Sequence, residues 1–238
     1  MTALPQEIPL PPDALMVAVS GHANHTDFAR SRINGPKQML RDLADAGLDS
    51  TKLVDVLDFG CGCGRFLAGW VINGSKMRLQ GCDYNPQLVD WCNKHIPGVI
   101  VGVNCIGQDL PFKNDSFDFI YLISVFTHLT VRKQRLLVSE FQRILRPGGY
   151  IYITFHGEYY YTTMLPQVRR GEAIFKRDGF LIHNQDLEGG NECWTLHSPE
   201  HLSELFRGFV LLKHFRSIER GPTDVAAWQD SMIFQVVK

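Results

Sequence analysis

Between residues 53 and 155 the hydrophobic pattern alternates between two periods. Short apolar runs occupy Leu53–Phe59 (LVDVLDF), Met77–Asp83 (MRLQGCD), Gly98–Asn104 (GVIVGVN), Phe117–Ser124 (FDFIYLIS) and Tyr150–Phe155 (YIYITF). Each reads as a strand, and Phe117–Ser124 is apolar enough to be buried on both faces. Helical spacing falls between them. RFLAGWVIN follows the first strand. NPQLVDWCNKH follows the second, with Asn85 as cap and Pro86 at the first helical position. TVRKQRLLVSEFQRIL gathers Leu136, Leu137, Phe141, Ile144 and Leu145 on one side before RPGG breaks it. Strand and helix in alternation predict an α/β protein, a doubly wound, mostly parallel sheet with helices on both faces.

The flanks differ. Residues 1–13 carry Pro5, Pro9, Pro11 and Pro12 and read as an extended arm. NGPKQMLRDLADA (Asn34–Ala46) predicts a helix with Met39, Leu40, Leu43 and Ala46 on one face, ended by Gly47. Residues 157–198 show no clean period. SPEHLSELF then reads as a capped helix, and FVLLKHF and SMIFQVVK as strands. The expected organisation is one domain: an arm and lid over 1–33, a core over 34–157, a substrate-side insert over 158–198, and a closing helix and strands over 199–238.

The first strand runs into GCGCG, Gly60 to Gly64. In a doubly wound sheet ligands sit beyond the carboxyl ends of the strands. Glycines there let backbone approach a ligand, and the helix that follows aims its free N–H groups at the same spot. Asp83 ends the second strand, where a carboxylate can accept both hydroxyls of a ribose. Together they imply a nucleoside-containing ligand, either a dinucleotide or S-adenosylmethionine. The dinucleotide fingerprint needs glycine at position 65, which is Arg65.

VLDFGCGCGR, GCDYNPQLVDWC, DLPFKNDSFDFIYLISVFTHL and RILRPGGYIYITFHG stand in the order and spacing of four motifs. With these the chain resembles the class I S-adenosylmethionine-dependent methyltransferases, and within them the bacterial small-molecule or glycan-pathway type. The resemblance covers about residues 53–157. It implies a seven-stranded Rossmann-like methyltransferase fold. It implies that Gly60, Cys61 and Gly62 line the methionine end of the cofactor and that Gly64 lets the next helix start close to it. Asp83 would hold the ribose and Tyr84 lie against the adenine. Ser124 would face the methionine amino group, with Val125 and His128 nearby. Ile106 stands where many members carry an acidic residue for the adenine amino group, so Asn104, Gln108 or backbone near Gly107 must substitute. His22 or Arg32 could close over the cofactor.

Methyl transfer needs alignment and exclusion of water, with a base only where the acceptor must lose a proton. His156 and His128, near the carboxyl ends of predicted strands, are the base candidates. Tyr159, Tyr160, Trp194 and His197 of the insert are the substrate candidates. A histidine base suits a hydroxyl, so O-methylation is favoured. An Asp/Asn-Pro-Pro-aromatic motif, a Pro-Cys nucleophile and clustered carboxylates for a hard cation are all missing from the sequence, which disfavours amino-directed nucleic-acid, cytosine-C5 and metal-dependent subclasses.

Composition adds exclusions. The chain has 238 residues with a net charge of −1, 45% hydrophobic and 21% charged residues. No basic excess suggests nucleic acid, and no run has spanning length. Six cysteines lack C-x-x-C spacing and read as small reduced side chains, with no metal. The expectation is a cytoplasmic, metal-independent methyltransferase acting on a small molecule or glycan precursor, with no nucleic-acid partner and no membrane insertion. The alternatives are a non-catalytic cofactor-binding module on the same fold and a nicotinamide-dependent oxidoreductase.

Overall fold

A computed structural model describes residues 7–105, 107–164, 171–219 and 228–238. The five expected parallel strands form as β1 (Asp55–Phe59), β2 (Arg78–Asp83), β3 (Ile100–Val103), β4 (Phe117–Leu122) and β5 (Leu145–Phe155). Two more, β8 (Phe209–Phe215) and β9 (Asp230–Val236), complete a seven-stranded sheet in the order β3-β2-β1-β4-β5-β9-β8. β9 runs antiparallel to both its neighbours, and the rest is parallel.

Alternation along the strands sorts side chains to two cores. Leu57, Phe59, Ile120, Leu122, Ile151 and Ile153 pack with α5 (Val131–Ile144) and α8 (Pro199–Leu205). Val56, Phe119, Tyr121 and Tyr152 face the other way, onto α2 (His25–Asp45), α3 (Arg65–Ile72) and α4 (Pro86–His95). A register shift between Phe117 and Phe119 lets both odd-numbered residues be buried on opposite faces.

The amino-terminal segment departs from expectation. The arm leads into a helix, α1 (Asp13–Ser20), and α2 starts nine residues before Asn34. Asn24 caps α2 through its side chain, and Pro36 lies inside it. Proline cannot bond the carbonyl four residues back, which leaves the Arg32 carbonyl free of its helical partner. Gly69 of α3 packs there: a Cβ on Gly69 would lie 1.9 Å from that oxygen. Pro36 therefore sits where two helices touch instead of ending one.

The insert holds α6 (Glu158–Met164), α7 (Glu172–Asp178) and a separate antiparallel pair, β6 (Phe180–His183) and β7 (Trp194–His197). Four-residue strands interleaved with polar and aromatic residues carry too little periodicity to be read from sequence.

Candidate active site

The carboxyl ends of β1, β2 and β4 border a cleft of about 830 Å3, open to solvent. Gly60, Gly62 and Gly64 have φ of 71°, 56° and 74°, the left-handed region that suits glycine. Close packing adds a second requirement. A Cβ on Gly60 would lie 2.5 Å from Val125 Cγ2, on Gly62 2.8 Å from Val19 Cγ2, and on Gly64 2.2 Å from Ile96 Cδ1. The turn is thus bare both for its own backbone and for three neighbours, one of them the end of α1.

Asp83 Oδ2 accepts from the Gly62 N–H (2.9 Å) and Oδ1 from the Asn85 N–H (2.9 Å). The carboxylate is buried, and burial pushes its pKa up. Asp58, two residues before the turn, is pushed up to about 7, also by burial, and accepts from the Tyr121 hydroxyl (2.9 Å). Beyond β4 the chain is held in an unusual conformation. Ser124 has a φ of 62°; its N–H donates to Thr154 Oγ1 (2.8 Å), and its hydroxyl accepts from Gln229 Nε2 (2.7 Å). Thr127 Oγ1 donates to the Ser124 carbonyl. A non-glycine residue fixed this way by three neighbours is typical of a functional turn.

The roof comes from the insert. Asn191 Nδ2 donates to the Val17 and Ala18 carbonyls (3.3 Å each), and the Tyr84 hydroxyl to the Gly189 carbonyl (3.2 Å). The Gly189 N–H donates to the His128 carbonyl (2.9 Å), and Glu188 accepts from the Thr130 N–H (2.7 Å) and pairs with Lys133 (2.9 Å). Arg32 plays no part here: it donates to the Ile8 and Pro9 carbonyls and ties down the arm.

Of the expected residues, Gly60, Gly62, Asp83, Tyr84, Ser124, Val125 and His128 line the cleft. Cys61 and Gly64 belong to the turn but lie behind its wall, Cys61 with its sulfur against Gly81. Ile106 lies outside the described residues. His156 is buried behind the wall, stacked on Tyr160 at 3.7 Å with Nδ1 3.2 Å from the Thr195 carbonyl. Burial, helped by His128, lowers its pKa to about 3. The four substrate candidates also lie off the cleft. Tyr160 covers His156, Tyr159 stacks on Trp228 (6.2 Å), and Trp194 stacks on His183 (4.9 Å). His197 corrects an expectation outright: it is wholly buried, with Nε2 donating to Gln134 Oε1 (3.1 Å), because β7 turns it into the core beneath α5. Among the described residues no group of three or more His, Cys, Asp or Glu could hold a metal ion, and no helix is long and apolar enough to cross a membrane.

Two buried polar atoms on the cleft wall have no partner among the described residues: Arg65 Nε and Asn104 Oδ1. Arg65 is half-buried, its Nε out of reach of solvent, with its guanidinium carbon 5.8 Å and 5.6 Å from the Phe28 and Phe66 ring centroids, and burial pulls its pKa down. A buried cation without a counter-charge is costly. The cofactor implied by the resemblance presents an adenine amino donor, a ribose diol and an amino-acid carboxylate. Asn104, Asp83 and Arg65 can meet these in turn, so the wall fits it. Sequence reasoning used Arg65 only to reject a dinucleotide. Its signal was available: a cation opening a helix directly after a ligand-binding turn.

Residues 57–153 match the family model described as a methyltransferase domain. The "Probable tRNA methyltransferase 9B" of Mus musculus is 31% identical over 159 residues, covering 64% of this chain and 32% of that protein. The tRNA (carboxymethyluridine(34)-5-O)-methyltransferase of Arabidopsis thaliana is 31% identical over 100 residues, 42% of this chain and 23% of that one. The tRNA N(3)-cytidine methyltransferase METTL2 of Gallus gallus is 23% identical over 222 residues, 84% and 58%. The chain thus spans about a third or less of the first two relatives' length. Among solved structures, a Pyrococcus horikoshii OT3 protein superposes with a TM-score of 0.61 at 16% identity, covering 92% of this chain and 95% of that one. The N-methyltransferase NodS from Bradyrhizobium japonicum WM9 gives 0.55 at 16%, covering 91% and 100%. At such identities these two show the fold alone. The tRNA relatives overturn the expectation that nucleic acid has no part. Net charge sums the whole chain, and the missing Pro-Pro motif speaks only against exocyclic amino acceptors.

Proposed function

Because residues 57–153 match a methyltransferase domain and the cleft wall fits S-adenosylmethionine, we propose that the chain is a class I S-adenosylmethionine-dependent methyltransferase that methylates a pyrimidine nucleoside of tRNA, at a carboxylate oxygen borne by the base. The cofactor half rests on one observation: Arg65 Nε and Asn104 Oδ1, buried and unpartnered, flank Asp83 on one wall. The tRNA half rests on the relatives named for tRNA, two of which overlap this chain at 31% identity.

When bound, S-adenosylmethionine supplies a methyl group already activated on a sulfonium. Asn104 would accept from its adenine, Asp83 from its ribose, and Arg65 would hold its carboxylate. The Ser124 carbonyl would share its amino group with the Thr127 hydroxyl. Tyr84, Asn191 and α1 close the roof and exclude water.

The choice of acceptor atom follows from the histidines. His156 is buried, stacked and neutral far below pH 7. His128 reaches the cleft; its Nδ1–H donates to the Cys193 carbonyl (2.7 Å), and burial lowers its pKa, which keeps the imidazole neutral and makes it a weak base. A hydroxyl acceptor needs a base. A carboxylate, with a pKa of about 4, is already anionic at neutral pH and needs none. A carboxylate oxygen is thus the oxygen acceptor that asks least of these histidines.

The test is transfer of a tritiated methyl to bulk tRNA, followed by mild alkali. Label released as methanol marks a methyl ester. Label that stays on the nucleoside after alkali refutes the carboxylate, and no labelling of tRNA refutes the acceptor class. A small carboxylic acid is the second reading. Surface cations such as Arg30, Lys176, Arg177 and Arg207 are each paired with an acid, which weakens their pull on phosphate. In that case label appears in small acids and not in tRNA.

A further inference from the structure

The loop between β6 and β7 crosses the cleft. Its tip, residues 189–191, is tied on three sides: to His128 after β4, to Tyr84 after β2, and to the end of α1. β1 lies between β2 and β4 in the sheet, so the tip bridges the cleft over the glycine turn. A ligand held between Asn104, after β3, and Ser124, after β4, would lie beneath that bridge.

The ties are unequal. On the β4 side they are short. The Gly189 N–H reaches the His128 carbonyl at 2.9 Å, Glu188 Oε1 accepts from the Thr130 N–H at 2.7 Å, and the His128 Nδ1–H reaches the carbonyl of the wholly buried Cys193 at 2.7 Å. A carboxylate acceptor strengthens the second of these. The other ties are long, neutral and made by exposed groups: Asn191 Nδ2 to the Val17 and Ala18 carbonyls at 3.3 Å, and the Tyr84 hydroxyl to the Gly189 carbonyl at 3.2 Å. Such bonds compete with water and hold least.

α1 itself is fixed. Met16 is wholly buried and packs with Phe28, Cys63 and Leu88, and Val19 lies against Gly62. The tip is the part free to swing. Gly189, at a φ of 91°, has open space where a Cβ would stand, and Gly190 follows it, so two glycines separate Asn191 from the firm anchors.

We propose that this tip is the gate for cofactor entry and product release, hinged on the turn after β4 and latched to α1 by Asn191. The proposal rests on the cofactor reading above and not on the identity of the acceptor. Opening breaks the Asn191 and Tyr84 bonds and leaves the three short ones intact. The latch joins protein to protein, so it slows entry and exit alike, whereas a contact to the ligand slows exit alone.

That difference is the test. Association and dissociation rate constants of S-adenosylhomocysteine are measured by surface plasmon resonance on the parent, Asn191→Ala and Tyr84→Phe, with Asn104→Leu as the contrasting ligand contact. In Asn191→Ala both rate constants are expected to rise about fivefold, the equivalent of one neutral hydrogen bond, with Kd held within about twofold. Tyr84→Phe keeps the ring, removes the other weak tie and should show the same paired rise; it decides the matter should Asn191→Ala disturb the loop. Asn104→Leu should speed release alone. Release that speeds alone in Asn191→Ala and Tyr84→Phe makes these residues ligand contacts and overturns the gate, as do parent rates in both, and the cofactor reading survives either result. A parent that binds no S-adenosylhomocysteine refutes the cofactor reading itself, and the gate with it.

Discussion

Replacing Arg65 by methionine separates ligand binding from folding. The half-buried guanidinium lies against Phe28 and Phe66 and has no ion pair among the described residues. Without ligand, its removal takes away a half-buried cation that makes no ion pair among the described residues. Methionine keeps the apolar contacts, so unfolding of the free protein is expected at the same temperature or higher. With ligand, the variant loses a charge-assisted contact to the amino-acid carboxylate. Such a hydrogen bond is worth about 1.5–3 kcal/mol, a weakening of S-adenosylhomocysteine binding of about 10- to 150-fold. Methylthioadenosine lacks the carboxylate and provides the control: its affinity should not change. Calorimetry with both ligands, together with thermal unfolding of the free proteins, reads all three quantities. Equal weakening of the two ligands would place Arg65 away from the carboxylate. A large fall in the unfolding temperature would make it a structural residue, and either result refutes the argument from its missing partner.

Asn104→Leu should weaken S-adenosylhomocysteine and methylthioadenosine alike, by about tenfold for one lost hydrogen bond, and calorimetry that spared both would remove Asn104 from the adenine site. Asp83→Ala should weaken both further, since it strips the ribose acceptor and the Gly62 anchor together; unchanged titrations would refute the cofactor assignment itself. Asp58 titrates at about 7 in the fold against about 4 unfolded, so the folded state binds the extra proton between these values. Stability should therefore fall as pH rises from about 4 to 7, by up to about 4 kcal/mol, then level off; urea midpoints of Asp58→Asn should lack that slope. His156→Gln should leave the pH profile of turnover unchanged above pH 5, and a profile that lost an acidic limb would restore His156 as a base.

Much of the fold was legible because buried parallel strands and capped helices have strong local signatures. Asn85 and Pro86 marked α4 to the residue, and the Asn85 side chain does cap it, accepting from the Gln87 N–H (2.9 Å). What escaped depends on contacts distant in sequence. Pro36 stays inside α2 because Gly69 meets the carbonyl it frees, a match made across more than thirty residues. The β6–β7 pair has strands of four residues, too short for a period to emerge from local sequence.

The site divides along the same line. Gly60, Gly62, Asp83 and Ser124 follow chain punctuation and line the cleft, since a turn after a strand faces the ligand end of the sheet wherever the rest of the chain goes. His156 and His197 sit at equally suggestive places and are buried, because β7 and Tyr160 come over them from a segment with no readable pattern. Arg65 and Asn104 gain their meaning only from what does not touch them. A missing partner is a property of the packed molecule; the sequence offered only a cation at the start of a helix and Asn104 as one of several candidates.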